Sequence, residues 1–187
     1  MKKLAIALIF VIGITNLSLA QEVKYDGFSM PESVAEGPDG YIYVSEMGEK
    51  DKEGDGKISK IDKKGNITPF ATGLYDPKGI VFYKEKLYLT DRDVIIEVDT
   101  DGSWSVFGAT MAFPKTPVFL NDIDVDSNGN FYITDTSNFE TGGIIFKMTL
   151  AGDINVLFDE TTENNKAPNG VLAIGNNKLL IIDWGGE

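Results

Sequence analysis

The chain has 187 residues, contains neither cysteine nor histidine, and carries a formal net charge of −12. Without these two residue types it has no disulfides, no thiolate ligands and no imidazole base, so a metal ion would have to be bound by oxygen atoms. The acidic charge argues against nucleic acid as a partner, because the phosphate backbone would repel the protein.

The N-terminus predicts an export signal. Two lysines precede an apolar run from Leu4 to Ile14, and small residues suited to cleavage stand before Gln21. A membrane span needs about 20 apolar residues, so a cleaved signal is favoured over a retained anchor helix. We therefore expect residues 1–20 to be a signal peptide, the mature protein to be secreted or periplasmic, and no membrane span to remain after cleavage.

The rest of the sequence repeats a short segment of alternating apolar residues that ends in an acid. Its copies start 45, 44 and 48 residues apart and are Tyr41–Glu46, Lys86–Asp91, Asn130–Asp135 and Lys178–Asp183. A second segment, which ends in glycine, recurs in step with the first three copies, as Ile58–Gly65, Ile95–Gly102 and Ile145–Gly152. Four short strands recurring every 40–50 residues, without helical periodicity, are typical of a β-propeller blade. A β-sandwich with coincidental hairpins is the alternative.

We therefore predict an all-β chain with the β-propeller fold, six-bladed when complete, with blades that start near residues 31, 77, 120 and 168. Residues 21–187 would form one domain holding about three and a half blades. We expect this ring to be incomplete, and residues 23–28 to be an outer strand of a final blade. The acids that end the four copies of the first segment are expected to be structural caps.

Polar residues occupy the second position of each predicted innermost strand, namely Glu32, Lys78, Asn121 and Asn169. Innermost strands surround the central channel, so Glu32, Asn121 and Asn169, which share one register, are predicted to converge at its mouth. One carboxylate and two amide oxygens suit Ca²⁺ best, with Mg²⁺, Mn²⁺ and Zn²⁺ as alternatives. The other interpretation is that these side chains only satisfy the backbone of turns.

Two neighbouring residues, Lys78 and Asp122, are candidates for contact with a substrate. For Lys78 we favour the alternative that it points to solvent, because a cation beside a bound metal ion would oppose metal binding. The same charge would, however, stabilise an oxyanion that develops during a reaction.

An acidic loop between Asp51 and Asp62 matches the ligand spacing of an EF-hand calcium site. A predicted strand precedes it, and Gly65 and Pro69 prevent a helix of useful length after it. We therefore expect a solvated acidic loop, with calcium binding outside an EF-hand as the alternative.

Three motifs resemble the senescence marker protein/gluconolactonase/luciferin-regenerating enzyme family and its paraoxonase relatives. They are Glu32-Ser33-Val34, Asn121-Asp122-Ile123 followed by Asp126-x-x-Gly129-Asn130-Phe131-Tyr132, and Pro168-Asn169-Gly170-Val171. The resemblance implies a six-bladed propeller with a divalent cation at the channel mouth. Glu32 and Asn169 match metal ligands of the family, and Asn121 matches a position that binds metal or substrate.

The resemblance also implies hydrolysis of a small-molecule lactone or ester. The family's Asp, which completes the metal site and often serves as the base, would come from a later blade, beyond residue 187. The family's E-G-P-x-W motif is matched only by Glu36-Gly37-Pro38, which makes Glu36 a rival of Glu32. The alternative function is a non-catalytic propeller of the NHL-repeat kind that binds a ligand or a protein.

Overall fold

The computed structural model describes residues 23–49, 52–175 and 178–185, so the predicted signal peptide, residues 1–20, lies outside the described residues. Three antiparallel sheets have four strands each and one has two, and the only helical element in these ranges is a 3₁₀ turn at Thr110–Ala112. Within the same ranges, no helix has the length and apolar character needed to cross a membrane. The predicted all-β class is confirmed.

Each sheet is a simple meander, in which strands follow one another in chain order. The first two sheets contain β1 (Pro31–Glu36), β2 (Ile42–Glu46), β3 (Gly56–Ile61) and β4 (Ile67–Leu74), then β5 (Pro77–Tyr83), β6 (Lys86–Asp91), β7 (Val94–Val98) and β8 (Trp104–Gly108). The other two contain β9 (Leu120–Val125), β10 (Phe131–Asp135), β11 (Ile144–Met148) and β12 (Ile154–Phe158), then β13 (Pro168–Ala173) and β14 (Leu179–Asp183).

The backbone conformation of a turn explains why the second repeated segment ends in glycine. It stands in the tight turn between the third and fourth strands of a sheet, as Gly65, Gly102 and Gly152, with φ of 87°, 85° and 85°. These angles lie in the left-handed region, which only glycine adopts without strain. The turn is therefore set by the sequence motif.

The sheets pack face to face through aromatic side chains. Tyr43 of the first sheet packs edge-on against Phe82 of the second, with ring centroids 4.9 Å apart. Between the second and third sheets, Tyr88 and Phe131 have centroids 4.6 Å apart. The first three sheets thus pack face to face in chain order, as blades do in a propeller.

The first strands of neighbouring sheets lie side by side in the order β1, β5, β9 and β13. β5 and β9 approach so closely that a Cβ atom on Gly79 would lie 2.5 Å from the Cα of Asp122. On the other side of β9, Asp122 contacts the backbone of Val171 in β13. Since these contacts join the third residue of one strand to the third or fourth of the next, the strands begin at one end of the molecule. We call this end the mouth.

Residues 23–28, which were predicted to be an outer strand, lie outside the sheets.

The two-stranded fourth sheet has an exposed apolar face. Leu172 pairs with Leu180, and these residues and Ile182 are 50%, 56% and 61% exposed. This sheet therefore presents an apolar face to solvent.

Candidate functional site at the mouth

Carboxylates at the ends of β2, β6, β10 and β14 hold the segments that lead into the mouth. Asp91 accepts the backbone N–H of Asp76 at 2.6 Å, and Asp135 accepts that of Val118 at 2.7 Å. The corresponding bonds of the other two sheets run from Ser29 to Glu46 and from Lys166 to Asp183, at 2.6 and 2.9 Å. The predicted role of these acids as structural caps is confirmed.

A threonine next to each of two caps joins neighbouring sheets. Thr90 Oγ1 donates to the carbonyl of Asn121 at 2.7 Å, and Thr134 Oγ1 donates to that of Asn169 at 2.6 Å. Hydrogen bonds of the same kind therefore hold Asn121, the second residue of β9, and Asn169, the second residue of β13. Asn121 and Asn169 occupy equivalent places at the mouth, in agreement with the register read from the sequence.

The side chain of Asn121 is buried and only half satisfied. Its Nδ2 donates to Thr136 Oγ1 at 3.1 Å, and Thr136 Oγ1 donates to the Pro168 carbonyl at 2.8 Å. Its Oδ1 is buried and has no hydrogen-bond partner in the described part of the chain. Such an orphaned acceptor costs about 1–3 kcal/mol, which a bound cation or donor would offset. A role as a metal ligand is one chemical explanation for the unpaired Oδ1 of Asn121.

Glu32 lies in an acidic surrounding. Loss of water around its carboxyl, together with the negative charges of Asp122 and Asp76, raises its pKa to about 7, and the positive charge of Lys78 opposes this shift. The residue is nevertheless exposed to solvent. A bound cation would favour the ionised carboxylate, as the metal prediction requires.

Lys78 differs from the preferred prediction, because it does not point to solvent. The residue is only 3% exposed, and its ammonium group forms an ion pair with Asp76. Its Nζ also lies 4.4 Å from the centre of the Phe119 ring. The ion pair and the cation–π contact compensate for the loss of hydration, which makes burial of this lysine possible. Contact of Lys78 with a substrate stays a prediction.

Asp122, the other predicted substrate contact, has a structural role at the same place. Its Oδ1 accepts the N–H of Ile123 at 2.9 Å and its Oδ2 that of Val171 at 2.8 Å. The pKa of this carboxyl is raised above its ordinary value, mainly because the group is buried. The two hydrogen bonds oppose this shift, and the negative charge of Asp124 adds to it. The carboxylate thus joins β9 to β13, and its contact with a substrate stays a prediction.

The rival residue Glu36 lies at the opposite end of β1 from Glu32. It pairs with Ile42, whereas Pro31 at the start of the strand pairs with Glu46. Four residues of extended strand span about 13 Å, so the two carboxyls do not share one site. Among these two, only Glu32 lies at the mouth.

The acidic loop does not have the geometry of an EF-hand. The six residues of β3 separate Asp55 from Asp62, and the Asp62 carboxylate accepts the N–H of Asn66 at 2.9 Å in a turn of its own. Asp51 lies outside the described residues. Nowhere in the described ranges do three or more carboxylate, histidine or cysteine side chains gather to hold a metal ion. The candidate set at the mouth has one carboxylate and two amides, and so is of a different kind.

The two threonine links and the Asp76–Lys78 pair were not predicted from the sequence. Thr90 and Thr134 directly precede the capping acid in the repeated segment, where the first copy has Ser45 and the last has Ile182. Comparison of the copies position by position would have indicated a hydroxyl at this place. No sequence pattern pointed to the contact of Lys78 with Phe119, since the two residues are 41 positions apart in the chain.

No protein-family model matches the chain, and no curated protein matches it. Several solved structures, by contrast, share its fold. A luciferin-regenerating enzyme superposes with a TM-score of 0.63 at 14% identity, over 81% of this chain and 52% of its own. Regucalcin from Agrobacterium tumefaciens, a calcium-binding protein, gives 0.59 at 19% identity, over 81% of this chain and 52% of its own.

A gluconolactonase from Xanthomonas campestris gives a TM-score of 0.62 at 14% identity, over 88% of this chain and 58% of its own. The chain therefore spans between half and three fifths of the length of these structures. The resemblance read from the sequence motifs is confirmed at the level of the fold. The chain has the β-propeller fold of luciferin-regenerating enzyme, regucalcin and gluconolactonase.

Proposed function

We propose that the protein is a divalent-metal-dependent hydrolase of the lactonase type, which acts on a small-molecule lactone or ester at the mouth of the propeller. The observation that carries the proposal is the buried, unpaired Oδ1 of Asn121. Asn121 is the second residue of its strand, as Glu32 and Asn169 are of theirs. The likeness in fold to a gluconolactonase supports the reaction class.

Glu32, Asn121 and Asn169 would hold the cation, which we propose to be Ca²⁺. The chemistry that a bound divalent cation supplies in such a site is polarisation of the substrate carbonyl. The protein contributes the placement of these groups. Thr90 and Thr134 hold the backbones of Asn121 and Asn169, and Thr136 fixes the amide of Asn121 so that its Oδ1 is left free to bind.

We propose that Lys78 acts on the charge that develops on a substrate. Its ammonium group is buried at the mouth and paired with Asp76, so it is held in one position. A fixed cation near the carbonyl oxygen of a substrate stabilises an oxyanion without reorganisation. We propose Lys78 as a substrate contact on this ground.

The metal set is tested by calorimetric titration of the protein with CaCl₂. Glu32→Gln should weaken binding by about tenfold or more, since Glu32 supplies the only formal charge among the three ligands. Asn121→Ala should weaken it less. Glu36→Gln, on the same strand, is the matched control and should bind as the wild type does. Loss of binding in Glu36→Gln with normal binding in Glu32→Gln would contradict the proposed set.

The activity is tested with δ-valerolactone in a pH-stat, with and without a chelator. Hydrolysis that requires Ca²⁺ and is lost in Glu32→Gln supports the proposal. Calcium binding without hydrolysis of any lactone or ester would favour the second candidate, a non-catalytic binding propeller. The observation in favour of that candidate is that both oxygens of Asp122 already accept backbone N–H groups.

We also propose export of the protein. The support is the lysine pair, apolar run and small residues of positions 1–20. Mass spectrometry of the protein recovered from the producing cell should find Gln21 as the first residue. An intact N-terminus in the membrane fraction would contradict cleavage.

A further inference from the structure

The mouth continues into an open cleft between the loops of the first and second sheets. The cleft has a volume of about 600 Å³, which lies within the range of small-molecule sites. Asp76 and Lys78 line it, and Lys78 holds the second position of β5, as Glu32, Asn121 and Asn169 do in β1, β9 and β13. The cleft therefore reaches the set of strand positions that carries the proposed metal ligands.

Apolar side chains from four separate segments line this cleft: Met30, Met47, Tyr75 and Phe119. The N–H of Met47 donates to the carbonyl of Met30 at 3.1 Å, which holds the two methionines side by side. Met30 and Tyr75 are 49% and 44% exposed. Covering such surface with an apolar group is favourable, and methionine adapts its shape to what it covers.

The charged groups around the cleft are already paired with one another. Arg92 lies 3.1 Å from Glu53, which joins the β6–β7 turn to the β2–β3 loop. Lys52 lies 3.1 Å from Glu49, and Lys78 is paired with Asp76. Every cation that lines the cleft within the described ranges thus has a carboxylate partner. The three cations are balanced by the three carboxylates that line the cleft, Glu49, Glu53 and Asp76, so the cleft favours an uncharged ligand.

We propose that this cleft binds an apolar substituent of the substrate, an alkyl chain or an aromatic group next to the ring, and so selects apolar lactones over polyhydroxylated ones. The inference rests on the proposed lactonase function and adds the substrate class. It follows from the cleft's continuity with Lys78, its methionine and aromatic lining, and the internal pairing of its charges.

The experiment compares three δ-lactones with the same ring ester. δ-Decalactone carries a pentyl group, δ-valerolactone carries no substituent, and glucono-δ-lactone carries hydroxyl groups. Burial of one methylene group strengthens binding about fourfold, so kcat/KM for δ-decalactone should exceed that for δ-valerolactone by about tenfold or more. A higher value for glucono-δ-lactone than for δ-decalactone would overturn the proposal.

Variants locate the effect. Met30→Ser and Met47→Ser should each lower the ratio of kcat/KM for δ-decalactone to that for δ-valerolactone by about fivefold, because they remove apolar surface from the cleft. Met111→Ser is the matched control: Met111 is 97% exposed and does not line the cleft, so this ratio should not change. An unchanged ratio in both cleft variants would overturn the assignment of the cleft.

A binding measurement separates this proposal from the lactonase proposal. The lactam 6-pentylpiperidin-2-one has the shape of δ-decalactone but resists hydrolysis, and piperidin-2-one lacks the pentyl group. Methionine methyl NMR should show shifts with the pentyl lactam that Met30→Ser and Met47→Ser reduce. If these shifts are found but no lactone is hydrolysed, the proposed lactonase activity is contradicted and the proposed binding of an apolar group in the cleft is supported. Equal affinity for the two lactams would overturn the cleft proposal even if hydrolysis is found.

Discussion

The Oδ2 atom of Asp122 accepts the backbone N–H of Val171 at 2.8 Å, so a side chain of one sheet completes the hydrogen bonding of the next. Two residues further along, Asp124 Oδ2 accepts the N–H of Ala173 at 2.6 Å. Carboxylates on β9 thus accept backbone N–H groups of β13, as the carbonyl groups of a neighbouring strand would in a sheet. The inner strands of the propeller are joined by side chains as well as by apolar packing.

Asp122→Ala should destabilise the protein by about 2 kcal/mol or more, because it leaves the N–H groups of Ile123 and Val171 without an acceptor. Urea denaturation followed by tryptophan fluorescence measures the change through a lower midpoint. Asp101→Ala is the control, since it removes an exposed carboxylate that bonds only Ser103, and it should cost well under about 1 kcal/mol. Equal effects of the two substitutions would contradict the role of Asp122 as a link between sheets.

Gly79→Ala should destabilise the protein by about 1–3 kcal/mol, because the added Cβ would lie 2.5 Å from the Cα of Asp122 and push β5 away from β9. Gly170 occupies the equivalent third position of β13, and a Cβ there would meet Ile182 at an ordinary 3.6 Å. Gly170→Ala is therefore the matched control and should be close to neutral. A tolerated Gly79→Ala would show that the two strands are too far apart for this contact.

The pKa of Glu32, raised to about 7 by desolvation and by the charges of Asp122 and Asp76, predicts a pH-dependent stability. The folded, metal-free protein holds the Glu32 proton more tightly than the unfolded chain, in which the carboxyl has its ordinary pKa of 4.5. The contribution of this group to stability therefore falls as pH rises from about 4.5 to about 7.

Glu32→Gln should remove this contribution, so its stability relative to the wild type should rise across that pH range. Urea midpoints at intervals of half a pH unit measure the difference, and carboxyl-carbon NMR measures the titration directly. A Glu32 titration midpoint near 4.5 in the folded protein would contradict the desolvated, acidic surrounding of this carboxyl. Saturating Ca²⁺ should lower the titration midpoint if Glu32 is a ligand.

The exposed face of the fourth sheet predicts self-association. Leu180 and Ile182 are more than half exposed on one face of a two-stranded sheet, and contiguous apolar surface of this kind favours contact between molecules. Sedimentation velocity should show a mass that increases with concentration. Leu180→Thr with Ile182→Thr should reduce this increase, whereas Val106→Thr, which replaces a residue of β8 that is 51% exposed, should not. A compact monomer at all concentrations would contradict the prediction.

The role of Lys78 could not be predicted from the sequence. Its positive charge beside a proposed metal site suggested a residue that points to solvent, and a lone lysine is rarely buried. The structure buries it because Asp76 supplies a counter-charge and Phe119, from the segment that precedes β9, supplies a ring face. Both the loss of hydration and its compensation depend on groups that meet only after the sheets have packed.

The sequence by itself determined the strands, the turn glycines, the capping acids and the register of Glu32, Asn121 and Asn169. These depend on local rules, namely the period of two in a strand, the left-handed angle at glycine and the repetition of one unit along the chain. Only the tertiary structure decided which polar atoms find partners. The unpaired Oδ1 of Asn121, the link from Asp122 to Val171 and the raised pKa of Glu32 arise between sheets, where distance and dielectric surroundings are set by packing and not by the sequence nearby.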